Sequence, residues 1–134
     1  MITPECIQKL RNVYKAIGSF ETGMQRSVGL NLNEAMLLCL LSDGSLILAG
    51  EIAEKLALTR SNASKVIAAL EKAELILRVP CSEDNRCQKF RISDNGRKKI
   101  KEMESTLTMP KEIPVLCQCL NSTPSVRQGE GSCN

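Results

Sequence analysis

The chain contains no histidine and no tryptophan, with one tyrosine and two phenylalanines. Without histidine it lacks the commonest general base, the usual partner of a nucleophilic serine or cysteine, and the commonest zinc ligand. So few rings leave little for the stacking platforms of RNA-binding folds or for sugar-binding sites. The seven cysteines include no Cys-x-x-Cys pair: Cys81 and Cys87 are separated by five residues, and Cys117 and Cys119 form Cys-x-Cys. Neither spacing is that of a zinc site. The longest apolar run, Ala35 to Leu41, is seven residues, well short of the roughly twenty that cross a membrane. Residues 1–20 carry Glu5, Lys9, Arg11 and Lys15 and no apolar stretch of the kind a secretory leader needs. These absences point to a non-enzymatic protein with no metal, no cofactor and no membrane partner. A cytoplasmic location with free thiols is expected.

What is present is ordinary globular usage. The chain has 134 residues, 43% apolar and 25% charged, enough for one folded domain with a real core. Apolar residues at Ile7, Leu10, Val13, Tyr14, Ile17, Phe20 and Met24 recur at helical spacing, so 3–27 reads as a long amphipathic helix. Thr3 is its expected N-cap, with Pro4 at the first helical position. Asn33 is expected to cap a second helix over 34–42, apolar on all sides and therefore central to the core, with Cys39 inside it. A short strand near 45–48 follows the Asp43-Gly44 turn. A third helix covers about 50–56. After the tight Ala57-Leu58 connection, Thr59 caps a fourth helix over 60–73. That helix places Ala63, Val66, Ile67 and Leu70 inward and Arg60, Ser61, Asn62, Ser64 and Lys65 outward.

Residues 75–79 and 88–92 read as two strands of a hairpin, the first stopped by Pro80. Phe90 and Ile92 share one face and Lys89 and Arg91 the other. Ser93 caps a fifth helix to about 107, and Pro110 opens a last helical segment containing Ile113, Leu116 and Leu120. From Asn121 onward the composition is that of a disordered tail.

Two short helices joined by a tight turn and followed by a hairpin make a winged helix-turn-helix. The expected fold is therefore mainly α with a small β-hairpin wing. A helix fits the major groove of a duplex, and the exposed side chains at its N-terminal end reach base edges. A hairpin tip can push an arginine into the minor groove. Charge agrees with this placement. Residues 59–101 hold eleven Lys and Arg against five Asp and Glu, a net +6 in a chain whose total is +3, so the remainder carries −3.

The segment Leu46-Ile-Leu-Ala-Gly-Glu-Ile-Ala-Glu-Lys-Leu-Ala-Leu-Thr-Arg-Ser-Asn-Ala-Ser-Lys-Val-Ile-Ala-Ala-Leu-Glu-Lys72 runs strand, positioning helix, then a Ser-rich helix ending in Leu-Glu-Lys. With the Asp84-Asn85-Arg86 loop and Ile92-Ser93-Asp94-Asn95-Gly96, it resembles the multiple antibiotic resistance regulator (MarR) family of bacterial winged-helix repressors, over residues 32–100. The resemblance implies a cytoplasmic homodimer bound to a palindromic double-stranded DNA operator. Its half-sites would lie about one helical turn, roughly 34 Å, apart. It also implies a repressor released by a small-molecule effector or an oxidant.

On that basis residues 1–30 form a dimerisation helix, 31–100 the DNA-binding domain, 101–121 C-terminal dimerisation helices and 122–134 a disordered tail. Thr59, Arg60, Ser61, Asn62, Ser64, Lys65 and Lys89 are the expected DNA contacts. Arg86 takes the place of the family's minor-groove arginine, and Asp84 that of its orienting carboxylate. The spacing agrees, since a carboxylate two residues from an arginine can hold its guanidinium in one geometry. Two positions depart from the family: Glu74 and Ala57 stand where glycine is frequent. A left-handed backbone kept at Glu74 would cost about 1–2 kcal/mol. Cys6, near the start of a capped helix, and Cys81 and Cys87, flanking the wing tip, are the candidate redox-sensing thiols. The alternative is a winged helix used as a protein-interaction module without DNA; a thiol enzyme is disfavoured because no base accompanies any cysteine.

Overall fold

The structure is a computed structural model, and residues 1–80 and 87–113 are described. It divides into two units. One comprises Met1–Gly23 with the chain from Thr108 onward, and the other Met24–Leu107.

Helix α1 spans Pro4–Val28. Its apolar stripe is largely open: Ile7 is 53% exposed, Leu10 61%, Tyr14 78% and Ile17 36%. Only Met24 and Val28, at its C-terminal end, are buried. The other described part of that first unit, residues 108–113, is a turn closed by the Ile113 amide donating to the Pro110 carbonyl. The expected helical segment opening at Pro110 does not form over these residues, and its remainder, with the 122–134 tail, lies outside the described residues. A proline at 114 disfavours the helical backbone at Ile113 immediately before it.

The second unit carries α2 (Leu32–Leu40), β1 (Ile47–Leu48), α3 (Ala49–Lys55), α4 (Arg60–Lys72), β2 (Ile76–Pro80), β3 (Gln88–Ile92) and α5 (Asp94–Thr106). The cap of α2 is Asn31 and not Asn33. Asn31 and Glu34 form a reciprocal box, the Glu34 amide donating to Asn31 Oδ1 at 2.8 Å and the Asn31 amide to Glu34 Oε1 at 3.0 Å. That box satisfies two orphan amides, which a cap at Asn33 would leave open. Helix α2 buries Ala35, Leu37 and Leu38 but leaves Met36 and Cys39 exposed, so it is not central on every side.

The three strands form an antiparallel sheet in the order β1-β3-β2. Ile47, Phe90 and Arg78 lie in register on one face with Ile76 and Ile92; Leu48, Lys89, Val79, Leu77 and Arg91 lie on the other. Phe90, Ile76 and Ile92 join Leu37, Leu38, Leu41, Ile52 and Leu70 in a core whose side chains are almost completely buried. Pro80 belongs to β2 and does not stop it before that position. β2 is an edge strand, where a residue without an amide N–H is tolerated.

Ser93 joins the hairpin to α5. Its hydroxyl accepts from the Gly96 amide at 3.0 Å and donates to the Glu74 carbonyl at 2.8 Å, while its own amide donates to the Leu75 carbonyl. Gly96 packs so closely on the Leu75 carbonyl and the Ile92 side chain that a Cβ there would overlap both.

Candidate nucleic-acid interface

Helices α3 and α4 are joined by a four-residue turn, Leu56 to Thr59. The Leu56 and Leu58 amides donate back to the Ile52 and Ala53 carbonyls, and Ala57 between them takes a left-handed φ of 56°. Glu74, in the connection from α4 to β2, takes φ 63°. These are the two positions at which the resemblance to the MarR family leads to an expectation of glycine. The backbone keeps the glycine conformation and the side chains bear its cost.

Thr59 ends that turn in an extended conformation, its hydroxyl accepting from the Asn62 amide at 3.0 Å. α4 then buries Ala63, Val66, Ile67 and Leu70. The same geometry leaves Thr59, Arg60, Ser61, Asn62, Ser64 and Lys65 exposed together. No acidic residue lies in the first turn of α4. The N-terminal end of α4, with its cap, therefore presents two cations, three hydroxyls and an amide beside the positive end of a helix dipole. This surface suits phosphates and base edges.

Lys89 is half-buried on the outward face of β3, paired with Leu48 and Val79. It belongs to the same unit as α4 but to a separate element. Asp84, Arg86 and Cys81 lie outside the described residues, so the expected wing contact is left at the strands that lead to it.

One interaction at this site had no signal in the sequence. The Arg78 side chain, on β2, grips Glu71, in the last turn of α4, through two bonds: Nε to Oε2 at 2.9 Å and Nη2 to Oε1 at 2.8 Å. The guanidinium also sits 5.2 Å from the centre of the Phe90 ring. The hydrogen bonds from Arg78 hold the Glu71 carboxyl below its ordinary range, and those same bonds push the Arg78 guanidinium up. The two are seven positions apart in sequence, but Glu71 lies on α4 and Arg78 on β2, so their pairing depends on the turn between the two elements.

Among the cysteines, Cys6 is exposed and free. The Thr3 hydroxyl, donating to Cys6 Sγ at 3.3 Å, lowers the thiol pKa, and the Thr3 backbone adds to this. Cys39 is also free and, contrary to the core placement expected, exposed. Partial desolvation of its sulfur raises its pKa, with the Glu104 carboxylate adding to the shift. Cys87 is disulfide-bonded, which overturns the free-thiol expectation at that residue. Among the described residues no three His, Cys, Asp or Glu gather as metal ligands, and no helix is long and apolar enough to cross a membrane.

The family model of the MarR family matches residues 30–88. No curated protein sequence matches the chain. Among solved structures, a MarR transcription factor from Planctomyces limnophilus is similar at 22% identity and a TM-score of 0.69, covering 78% of this chain and 77% of that one. Sco3205, a MarR family transcriptional regulator from Streptomyces coelicolor solved in complex with DNA, is 23% identical with a TM-score of 0.66, covering 98% and 84%. NadR in complex with 4-hydroxyphenylacetate is 17% identical with a TM-score of 0.62, covering 78% and 73%. Two helices about a tight turn with a three-stranded sheet make the winged helix fold of these structures, and residues 30–88 are similar to the MarR family.

Proposed function

We propose that the chain is a dimeric, sequence-specific double-stranded DNA-binding transcriptional regulator. The observation that carries this is the N-terminal end of α4, where Thr59, Arg60, Ser61, Asn62, Ser64 and Lys65 are exposed together on a capped helix whose first turn has no acid. In this reading α4 enters the major groove, with Asn62 and Ser64 at base edges and Arg60 and Lys65 on phosphates. The hairpin runs along the backbone with Lys89 on it, and Arg86, oriented by Asp84, enters the minor groove. The solved DNA complex of Sco3205 supports the reading.

The open stripe of Ile7, Leu10, Tyr14 and Ile17 is the surface through which two copies pair, with the C-terminal segment contributing. Pairing gives two reading helices and hence a palindromic operator. The regulator acts as a repressor, released when a small ligand or an oxidant shifts the dimer. The ligand-bound NadR structure supports the first signal, and the exposed Cys6, with its lowered thiol pKa, the second.

Fluorescence anisotropy against the DNA upstream of the gene tests this. The logarithm of affinity should fall with the logarithm of salt at about −0.9 per neutralised phosphate, giving a slope of several units. Asn62→Ala should change sequence preference, whereas Arg86→Ala should weaken binding to every sequence and flatten the slope by about one unit. Absence of salt-dependent binding at low ionic strength would remove the DNA reading.

A further inference from the structure

A rigid duplex presents its grooves at fixed distances, so a protein that touches it with a helix and a hairpin must hold the two at one angle. Otherwise part of the binding energy is lost in ordering them. In this chain the two elements meet at the α4–β2 connection, residues 73–75. The turn itself is tied on one side, where the Ser93 hydroxyl donates to the Glu74 carbonyl and the Ser93 amide to the Leu75 carbonyl. On the other side stand Glu71, Arg78 and Phe90. Arg78 is directly opposite Phe90 in the β2–β3 register, and Phe90 is fully buried at the centre of the sheet. The planar guanidinium stacks on that ring and directs two parallel N–H groups onto Glu71 of α4.

We propose that Glu71, Arg78 and Phe90 form a clamp that sets the angle between the α4 reading helix and the β2–β3 hairpin, making Glu71 and Arg78 positioning residues for simultaneous engagement of a duplex. The inference rests on the DNA-binding reading above. Surface ion pairs usually contribute little to stability because side-chain entropy offsets a screened attraction. This pair differs in geometry more than in strength. A forked, two-bond contact between planar groups fixes direction as well as distance, and a lysine ammonium, a point charge with no plane, cannot reproduce it. The Phe90 ring adds a cation–π attraction that favours this placement of the guanidinium. Glu71 sits in the last turn of α4 and Arg78 at the middle of β2, so a small change of side-chain geometry there is magnified at the N-terminal end of α4, about three turns away.

The test uses the full chain and two duplexes of equal length, one selected from a random pool for tight binding and one unrelated. Arg78→Gln and Glu71→Gln should each raise Kd for the selected duplex about tenfold while changing Kd for the unrelated duplex less than about twofold, since only the selected site demands both elements at once. Arg78→Lys, which keeps the charge and loses the fork, should behave like Arg78→Gln. In the Arg78→Gln background, the penalty of Lys89→Ala on the selected duplex should shrink, because the hairpin no longer acts with the helix. Equal losses on both duplexes, full activity of Arg78→Lys, or an undiminished Lys89→Ala penalty would each overturn the clamp. Where Arg78→Gln fails to fold, the charge-exchanged pair Glu71→Arg with Arg78→Glu is read instead. A recovered preference for the selected duplex supports the clamp, and a lost preference overturns it. If the unaltered chain binds neither duplex in a salt-dependent way, the DNA reading fails first, which is a separate result.

Discussion

The first turns of α1 and the winged unit follow opposite logic from the same composition. In the winged unit, Leu37, Leu38, Leu41, Ile52, Leu70, Ile76 and Phe90 find one another within a single chain and are almost fully buried. In residues 4–17 the apolar side chains are just as regular, at Ile7, Leu10, Tyr14 and Ile17, yet every one stays open. Periodicity says that a face is apolar; only a partner surface buries it. The winged unit supplies its own partner surface by folding two helices and a sheet around a centre. The first turns of α1 bury no such face among the described residues, and the proposal above assigns it to a second copy.

Breaking each region separately sharpens the contrast. The largest effect is expected from Phe90→Ala, which empties the centre of the sheet and takes away the ring under Arg78. A loss of about 3–5 kcal/mol in denaturant unfolding follows, with the winged unit failing as a whole. Leu10→Lys should act on the other region alone. Analytical ultracentrifugation should show a dimer shifted to monomer, by about 1.5–3 kcal/mol for each copy's lost side-chain burial, while the unfolding of the winged unit in the isolated monomer is unchanged. A dimer that tolerates this substitution would show that the stripe is covered in some other way.

Glu74→Gly and Ala57→Gly should run in the opposite direction. The left-handed backbone costs a side chain about 1–2 kcal/mol, and glycine gives back about 0.5–1 through the freer unfolded chain, so a net gain of roughly 0.5–1 kcal/mol is expected from each. The thermal midpoint should rise by a few degrees. The smallest effect concerns pH. Glu71 is held below its ordinary range by Arg78. Its contribution is therefore present above the unfolded carboxylate pKa and is lost as pH falls through the lower folded value. Both side chains are partly exposed, at 26% and 43%, so screening keeps the contribution at or below about 1 kcal/mol. Stability measured from pH 6 to 2 should lose this component in Glu71→Gln while the rest of the acid profile is kept.

Much of the winged unit was legible in advance, for local reasons. Thr59 and Ser93 cap because a hydroxyl before an amphipathic run answers orphan amides in any context. The exposed set on α4 follows from the inward Ala63, Val66, Ile67 and Leu70 once a helix is assumed. Two asparagines two residues apart made the start of α2 ambiguous, and the reciprocal bonds of Asn31 with Glu34 decided it. The exposure of Cys39 escaped notice because an all-apolar stretch carries no phase from which to tell its buried side. β2 does end at Pro80, but includes it as its last residue, which its edge position allows, and edge position is a property of strand order. The Glu71–Arg78–Phe90 contact depends jointly on the azimuth of α4, the turn at Glu74 and the β2–β3 register, three quantities no local pattern encodes.

Local chemistry thus settled where helices start, which residues α4 shows to solvent and where its positive charge collects, because caps, turns and helical phase act within a few residues. Three-dimensional packing alone decided that Glu74 and Ala57 hold a left-handed backbone, that Arg78 of a strand bonds Glu71 of a helix, and that one apolar stripe is buried while another is exposed. Those outcomes depend on distances between segments far apart in the chain, and such distances exist only after the chain has closed on itself.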